Sequence, residues 1–469
     1  MSRFFHYRSA DELGAAALAL SLPIRLSADT EVLLQPAIVD GRVVGNRLAI
    51  HPMEGCDAEP DGAPGELTRR RYLRFGAGGA KLIWMEACAV VPEGRANTRQ
   101  LLLNQANAQA IAALLHECRE AHRFTWGTEV DLLVGLQLTH SGRYSHPRPI
   151  LVQHDPILDV RTIVDKIKGS YVRPGDPLIT DDDLCRLQDK FVAAAHLAFQ
   201  IGFDFVDIKQ CHRYLLNELL AARRRPGRFG GSFENRTRFA REVFGRIRAE
   251  SPHLVLATRL NVFDGLPFSK GGEDLDFESD NRPLDTCWGT NSYEPHLPSL
   301  DEPIAYLRLL EALGVSLVSV TMGNPYASPH LLRPFEYPPP DGYESPENPL
   351  IGVARHFELT EKIQRAFPKI TVVGSGYSYL QGYALNAGAA NIEDGRATFV
   401  GLGRASLAQP DFAGRLIKGM ALDPKHTCRT FSYCTALMRA KHNELGQFAT
   451  GCPPFDKEVY GPLWKAAGE

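Results

Sequence analysis

The chain has no uninterrupted apolar run of 18 residues, so nothing in it reads as a membrane-spanning helix. It also lacks an excess of charge. With 52 Lys and Arg against 55 Asp and Glu, the formal net charge is −3, which gives no electrostatic reason to expect nucleic-acid binding. Cysteine is sparse and irregular: nine residues, an odd number with no Cys-x-x-Cys pair, argue against a disulfide scaffold and fit a reducing compartment. Only Cys428, Cys434 and Cys452 cluster, and their wide spacing lacks the paired ligands of iron–sulfur or zinc sites, so no metal is expected. The first residues, Met1-Ser-Arg-Phe-Phe-His-Tyr-Arg8, carry aromatics and charges where a secretory signal needs a continuous apolar segment. The expectation is a soluble, cytoplasmic protein acting on a small molecule.

At 469 residues, 44% hydrophobic and 23% charged, the chain can bury a large core, and its length suits one enlarged barrel better than three average domains. Eight apolar runs of strand length occur: Arg47–Pro52, Ala80–Glu86, Leu132–Leu138, Phe203–Ile208, Leu254–Leu260, Val315–Val320, Ile370–Gly374 and Ala397–Leu402. Helical patterns such as Asp181–Ile201, Arg236–Glu250 and Glu302–Leu313 lie between them. Eight β/α alternations make an α/β fold of the TIM (β/α)8 barrel type. Residues 35–420 are expected to form it, with residues 1–34 as an N-terminal extension, a cap or an oligomer contact, and 421–469 as a C-terminal extension. The Gly/Pro/Asp-rich segments Asp264–His296 and Gly323–Pro349 exceed ordinary connections and read as lids or packing devices.

In such a barrel the strand C-termini converge on one face, so polar groups just past each strand share a site. That rule selects Pro52–Gly55, Glu86–Ala87, Gln137–Arg143, Lys209–Tyr214, Arg259–Asn261, Ser375–Gly376 and Gly403–Arg404. Runs seven and eight end in Val-Val-Gly374-Ser375-Gly376 and Val400-Gly-Leu-Gly403-Arg404; small residues let backbone N–H groups approach a phosphate and an Arg can pair with it, although glycines there can also serve only tight turns. Arg259, inside an apolar strand, needs a buried partner. Glu54 could face a ligand or turn to an Arg of Thr68-Arg-Arg-Arg71. Lys209 could face a ligand or pair with Asp207 or Glu54. His140 reads equally as a barrel-wall hydrogen-bonder and Cys211 as a packing group.

Taken together, Lys209-Gln-Cys-His212-Arg-Tyr214-Leu, Arg228-Phe-Gly-Gly-Ser-Phe-Glu-Asn-Arg236, Asn46-Arg-Leu-Ala-Ile-His-Pro52-Met53 and Gln137-Leu-Thr-His-Ser-Gly-Arg143 resemble motifs of the old yellow enzyme family. The usual family pattern has His where Lys209 stands, and Thr or Cys where Glu54 stands. The resemblance implies bound FMN held by Pro52, Met53, Glu54, Ala87, Gln137, Arg259, Ser375, Gly376, Gly403 and Arg404. It also implies NADH or NADPH as a transient reductant, and a short form without the iron–sulfur cluster of longer members. Gln137 would meet the flavin pyrimidine and Arg259 the edge where negative charge accumulates on reduction. Lys209 and His212 would clamp a carbonyl oxygen conjugated to a C=C bond and Tyr214 would supply the proton. Lys in the clamp favours an anionic or charge-accumulating group, a carboxylate included. Reversed flow, oxidising an amine or alcohol-type substrate, or a catalytically weak flavin-binding protein, stands as the alternative. Family barrels often assemble, so a homo-oligomer is a further expectation.

Overall fold

The computed structural model describes residues 4–165, 169–268, 284–440 and 447–468. Eight parallel strands close into a barrel in simple sequential order: β1 (Leu48–Ile50), β2 (Leu82–Ala89), β3 (Leu133–Thr139), β4 (Phe205–Ile208), β5 (Val255–Phe263), β6 (Val315–Met322), β7 (Thr371–Gly374) and β8 (Phe399–Leu402). β8 returns to β1 through Val400↔Leu48 and Leu402↔Ile50, which leaves no edge. Each strand corresponds to an apolar run in the sequence. Every β1, β2, β3 and β5 side chain is buried, as expected of parallel strands covered on both faces.

Two strand ends differ most from the sequence reading. β2 continues past Glu86 to Ala89 because a bulge between Met85 and Ala87 lets it keep pairing with β3, and β5 continues past Leu260 to Phe263. Ala87 is therefore a ladder residue rather than a residue beyond the ladder, Glu86 is the unpaired residue of the bulge, and the bulge re-aims the side chains on either side of it. The helices start where capping chemistry dictates. Asp181–Gln200 opens with a reciprocal Thr180/Asp183 capping box, and Phe233–Glu250, three residues longer at its start than the periodicity indicates, is capped by Ser232 Oγ accepting from Asn235 N at 3.2 Å. Arg236 then ties that helix to Glu302 at 2.6 Å. No helix among the described residues is long and apolar enough to cross a membrane.

A hairpin, Ala37–Val39 with Arg42–Val44, turns through Asp40 and Gly41, both at positive φ. Its Ala37, Val39 and Val44 pack against Trp84, Phe205, Val255, Leu317 and Phe399, which plugs the barrel floor and leaves the opposite, C-terminal face for the site. The N-terminal helix Ala10–Ala19 joins the main core through Leu13 and Ala17. At the other end of the chain, Leu437, Phe448, Ala449 and Tyr460 form a small cluster against Leu67, fixed by Arg70 and Arg74 on Asp456. Of the two long connections, 323–349 overhangs the C-terminal face; the middle of the other, residues 269–283, lies outside the described residues.

Candidate active site

One cleft of about 1100 Å³, its open mouth included, occupies the C-terminal face. Every residue that the resemblance assigns to FMN or to catalysis lines it: Pro52, Met53 and Glu54 after β1, Ala87 on β2, Gln137 on β3, Lys209, His212 and Tyr214 after β4, Arg259 on β5, Ser375 and Gly376 after β7, and Gly403 and Arg404 after β8. Glu86 is absent from the wall. Across the bulge it turns outward, where Arg71 Nη2 donates to Oε1 at 2.5 Å and the Gly55 N–H to Oε2 at 2.7 Å. Arg71 also donates twice to Asp57, so this buried triad holds the β1 loop in place.

With Arg71 so engaged, Glu54 takes the ligand-facing orientation. Its Oε1 accepts from Asn97 Nδ2 at 2.6 Å, and burial pushes its carboxyl upward against the opposing influence of Lys209. Lys209 likewise has no carboxylate within 4.0 Å among the described residues; its Nζ lies 3.8 Å from the centre of the Tyr214 ring. Burial lowers the Lys209 pKa, as does the Arg259 charge, while Cys211 and Glu54 oppose the shift.

His212 and Arg213 both sit in the left-handed region, at φ 64° and 61°. Two consecutive non-glycine residues there cost on the order of 1–3 kcal/mol each and need external support. That support is present. Asn261 Oδ1 accepts from His212 N at 3.1 Å, Asn217 Oδ1 from Arg213 N at 2.6 Å, and the His212 carbonyl accepts from Asn324 Nδ2 at 2.8 Å. The Arg213 guanidinium is anchored by Asp155 at 2.5 Å, Asp264 at 3.5 Å and Cys287 Sγ at 3.1 Å. The strained turn thereby presents His212 and Tyr214 on the same wall. Burial holds His212 neutral, its pKa far below 6.5, with Arg259 and Lys209 reinforcing the shift. Tyr214 is raised well above 10 by burial and hydrogen-bonds Tyr326, whose ring in turn lies 4.5 Å from Tyr144.

Asp207, fully buried beneath the cleft, accepts from Gln137 Nε2 at 2.6 Å, Trp84 Nε1 at 2.9 Å and the Arg259 N–H at 2.7 Å. By accepting from it, Asp207 orients the Gln137 amide and leaves its Oε1 and second N–H for a ligand. Burial pushes Asp207 up to about 6, so it is ionised at neutral pH.

The opposite end of the cleft is cationic. Arg404 Nη2 donates to the Pro334 carbonyl at 2.6 Å, but its buried Nη1 has no protein acceptor. Arg333, from the long 323–349 connection, donates through Nη1 to Thr435 Oγ1 and leaves Nε and Nη2 buried and unpartnered. Burial and the Arg439 and Arg404 charges push its pKa down. Such adjacent guanidiniums call for an anion between them. Gly376, at φ 96°, completes the cradle; a Cβ there would meet the His356 ring stem at 2.8 Å. The Ser375 hydroxyl instead donates to the Val320 carbonyl and lies 3.0 Å from His51 Nε2, which leaves its backbone for the ligand. FMN fits these atoms: a phosphate for Arg333 and Arg404, a heterocyclic edge for Gln137, and an accumulating charge for Arg259, whose Nε is also buried without a partner. Arg333→Leu is expected to weaken FMN binding by about 1.5–3 kcal/mol, about 10- to 150-fold in Kd, read as flavin fluorescence during reconstitution of apoprotein.

Sequence reasoning missed Arg333, Tyr326 and His51, and the contributions of Cys434, Thr435, Met438 and Thr450 from the C-terminal residues. His51 was legible as a strand-end neighbour of Pro52, whereas the others reach the site by tertiary packing of long irregular segments. Cys428, Cys434 and Cys452 line an adjoining cavity with Arg404 and Arg429.

The family model for the NADH:flavin oxidoreductase / NADH oxidase family matches residues 32–278. An NADPH dehydrogenase of Geobacillus sp. (strain WCH70) is 26% identical over 298 residues, 62% of this chain and 73% of the relative. An NADH oxidase of Thermoanaerobacter brockii is 25% identical over 380 residues, 80% of this chain and 49% of the relative, so the chain spans about half of that protein. Among solved structures, an old yellow enzyme homologue from Zymomonas mobilis superposes with a TM-score of 0.56 at 20% identity, covering 82% of this chain and 92% of the other. A 2-naphthoyl-CoA reductase superposes with a TM-score of 0.66 at 18% identity, covering 93% of this chain and 58% of the other. Those two likenesses speak to the fold. With the family model matched over more than half the chain and its motifs gathered on one barrel face, the chain belongs to the NADH:flavin oxidoreductase / NADH oxidase family, the old yellow enzyme family of FMN-dependent NAD(P)H oxidoreductases.

Proposed function

We propose that the protein reduces the C=C bond of an α,β-unsaturated carbonyl compound at the expense of NADH or NADPH. The observation that carries this reading is the convergence of Lys209, His212 and Tyr214 on one wall of the same cleft that Gln137, Arg259, Arg333 and Arg404 equip for FMN. Bound FMN supplies the hydride donor.

Polarising and proton-donating groups come from the chain itself. A carbonyl oxygen lodged beside Lys209 and a neutral His212 N–H draws electron density from the alkene, which makes its far carbon electrophilic. Tyr214 then protonates the carbon next to the carbonyl; a phenol too weakly acidic to ionise at neutral pH still delivers a proton to an enolate-like carbon. Pro325, Tyr326, Leu332 and Met438 add apolar surface to the cleft wall. The test is anaerobic NADPH-driven reduction of cinnamaldehyde or 2-cyclohexenone, with the saturated carbonyl identified as product. Consumption of NADPH only in the presence of oxygen, with no saturated product, would contradict it.

Glu54 gives this member a pH-dependent potential. Its raised pKa keeps the carboxyl neutral at low pH, and ionisation on raising the pH opposes the negative charge a reduced cofactor acquires. Glu54→Gln is expected to match the wild-type midpoint potential at low pH and to exceed it once the wild-type carboxyl ionises. A spectroelectrochemical titration of the two proteins across pH checks this.

A further inference from the structure

We propose that Lys209 is a covalent catalyst, its amino group condensing with the carbonyl of an α,β-unsaturated aldehyde or ketone so that an iminium, rather than a hydrogen-bonded carbonyl, accepts the hydride. The inference rests on the alkene-reduction reading above and names its substrate class.

Two lysines are buried among the described residues, Lys81 and Lys209. Lys81 shows how a structural one is treated: its Nζ pairs with Asp131 at 2.6 Å. Lys209 has neither an ion pair nor a hydrogen-bond acceptor among the described residues, and it lines the cleft. A permanently charged ammonium so placed would lack the counter-charge that burial demands. Burial and the Arg259 charge lower its pKa toward the neutral amine, against the opposing influence of Cys211 and Glu54. A buried lysine in a cleft, free of an ion pair, supplies from its neutral fraction the nucleophile of Schiff-base chemistry.

The other parts lie within the same few residues. The amine sits over the ring of Tyr214, which hydrogen-bonds Tyr326, so a proton-donating pair adjoins the carbon under attack. In the condensation, the Nζ–C bond forms, the C=O bond breaks, one proton is taken up through the tyrosine pair and the oxygen leaves as water. The iminium places a full positive charge in conjugation with the alkene. Hydride, supplied by NAD(P)H through the established activity, adds to the far carbon and its electron pair converts the iminium to an enamine. Tyr214 protonates the near carbon and restores a saturated iminium, and water hydrolyses it to the saturated carbonyl, the free amine and a proton. Atoms and charge balance with NAD(P)H as the only reductant.

The test treats the FMN-loaded protein with cinnamaldehyde and sodium cyanoborohydride, followed by intact-mass measurement and peptide mapping. The expected result is one adduct, the mass of the reduced aldehyde carbon skeleton joined to nitrogen, located on Lys209. It should be absent from both Lys209→Arg and Lys209→Met, whose bound-flavin spectra report that they fold. Reduction of cinnamaldehyde by wild type with no trapped adduct, or an adduct that persists in both variants, overturns the covalent role while the alkene-reduction reading stands. Failure of wild type to reduce any enal or enone is a failure of that reading instead, and the NADPH assay detects it independently of trapping.

Discussion

Tyr214→Phe is expected to keep its FMN and to be reduced by NADPH at the wild-type rate, yet to pass those electrons to an enal about 10²–10⁴-fold more slowly, the range typical of a lost general acid. The substitution removes a hydroxyl and its hydrogen bond to Tyr326 while retaining the ring that underlies Lys209 at 3.8 Å. The atoms proposed to hold the cofactor are elsewhere in the cleft, on Gln137, Arg259, Arg333 and Arg404. Stopped-flow measurement of the two half-reactions separates the effects: an unchanged reductive phase with a slowed oxidative phase is the signature of a lost proton donor. Equal slowing of both phases would mean that the hydroxyl organises the cleft rather than protonating the substrate.

Arg213→Met is expected to have the largest effect on stability, about 3–5 kcal/mol, because it leaves Asp155 and Asp264 buried without their cation. The pH dependence follows from the carboxyl groups. Burial would raise Asp155, but the Arg213 and Arg143 charges prevail and hold it below its ordinary 3.8. A depressed folded-state pKa contributes stability that is present above 3.8 and is lost as the pH falls through the folded value. Without Arg213 the largest of the influences that offset burial is lost, so the difference between variant and wild type is widest at neutral pH and narrows as the carboxyls protonate. Chemical denaturation at several pH values checks both the size and the sign. Catalysis should fall as well, since Arg213 anchors the left-handed turn between His212 and Tyr214.

Parallel β/α alternation made the barrel legible, because strands buried on both faces are continuous apolar runs and their C-termini share one face by topology. For the same reason, residues as far apart in sequence as Pro52 and Arg404 could be assigned to one site. Less was legible where irregular segments fold back. Arg333 lies in a Pro-rich connection with no strand or helix period to place it, and Thr435 and Thr450 approach the cleft only because the Leu437–Tyr460 cluster docks against Leu67. The β2 bulge is also silent in the sequence, yet it separates Glu86, turned outward to Arg71, from Ala87 in the cleft wall. At Glu54 and Lys209, the two departures from the family pattern, the sequence left each side chain a choice between a ligand and an ion pair. Three-dimensional competition decides it: Asp57 and Glu86 occupy Arg71, and no carboxylate comes within 4.0 Å of Lys209 among the described residues.

The most direct measurement starts from protein whose FMN has been bleached anaerobically with one equivalent of NADPH and then mixes it with cinnamaldehyde. The account predicts that the oxidised flavin spectrum returns in step with formation of the saturated aldehyde, rapidly in wild type and slowly in Tyr214→Phe. A flavin that NADPH bleaches but that stays reduced in the presence of enals and enones alike would contradict it.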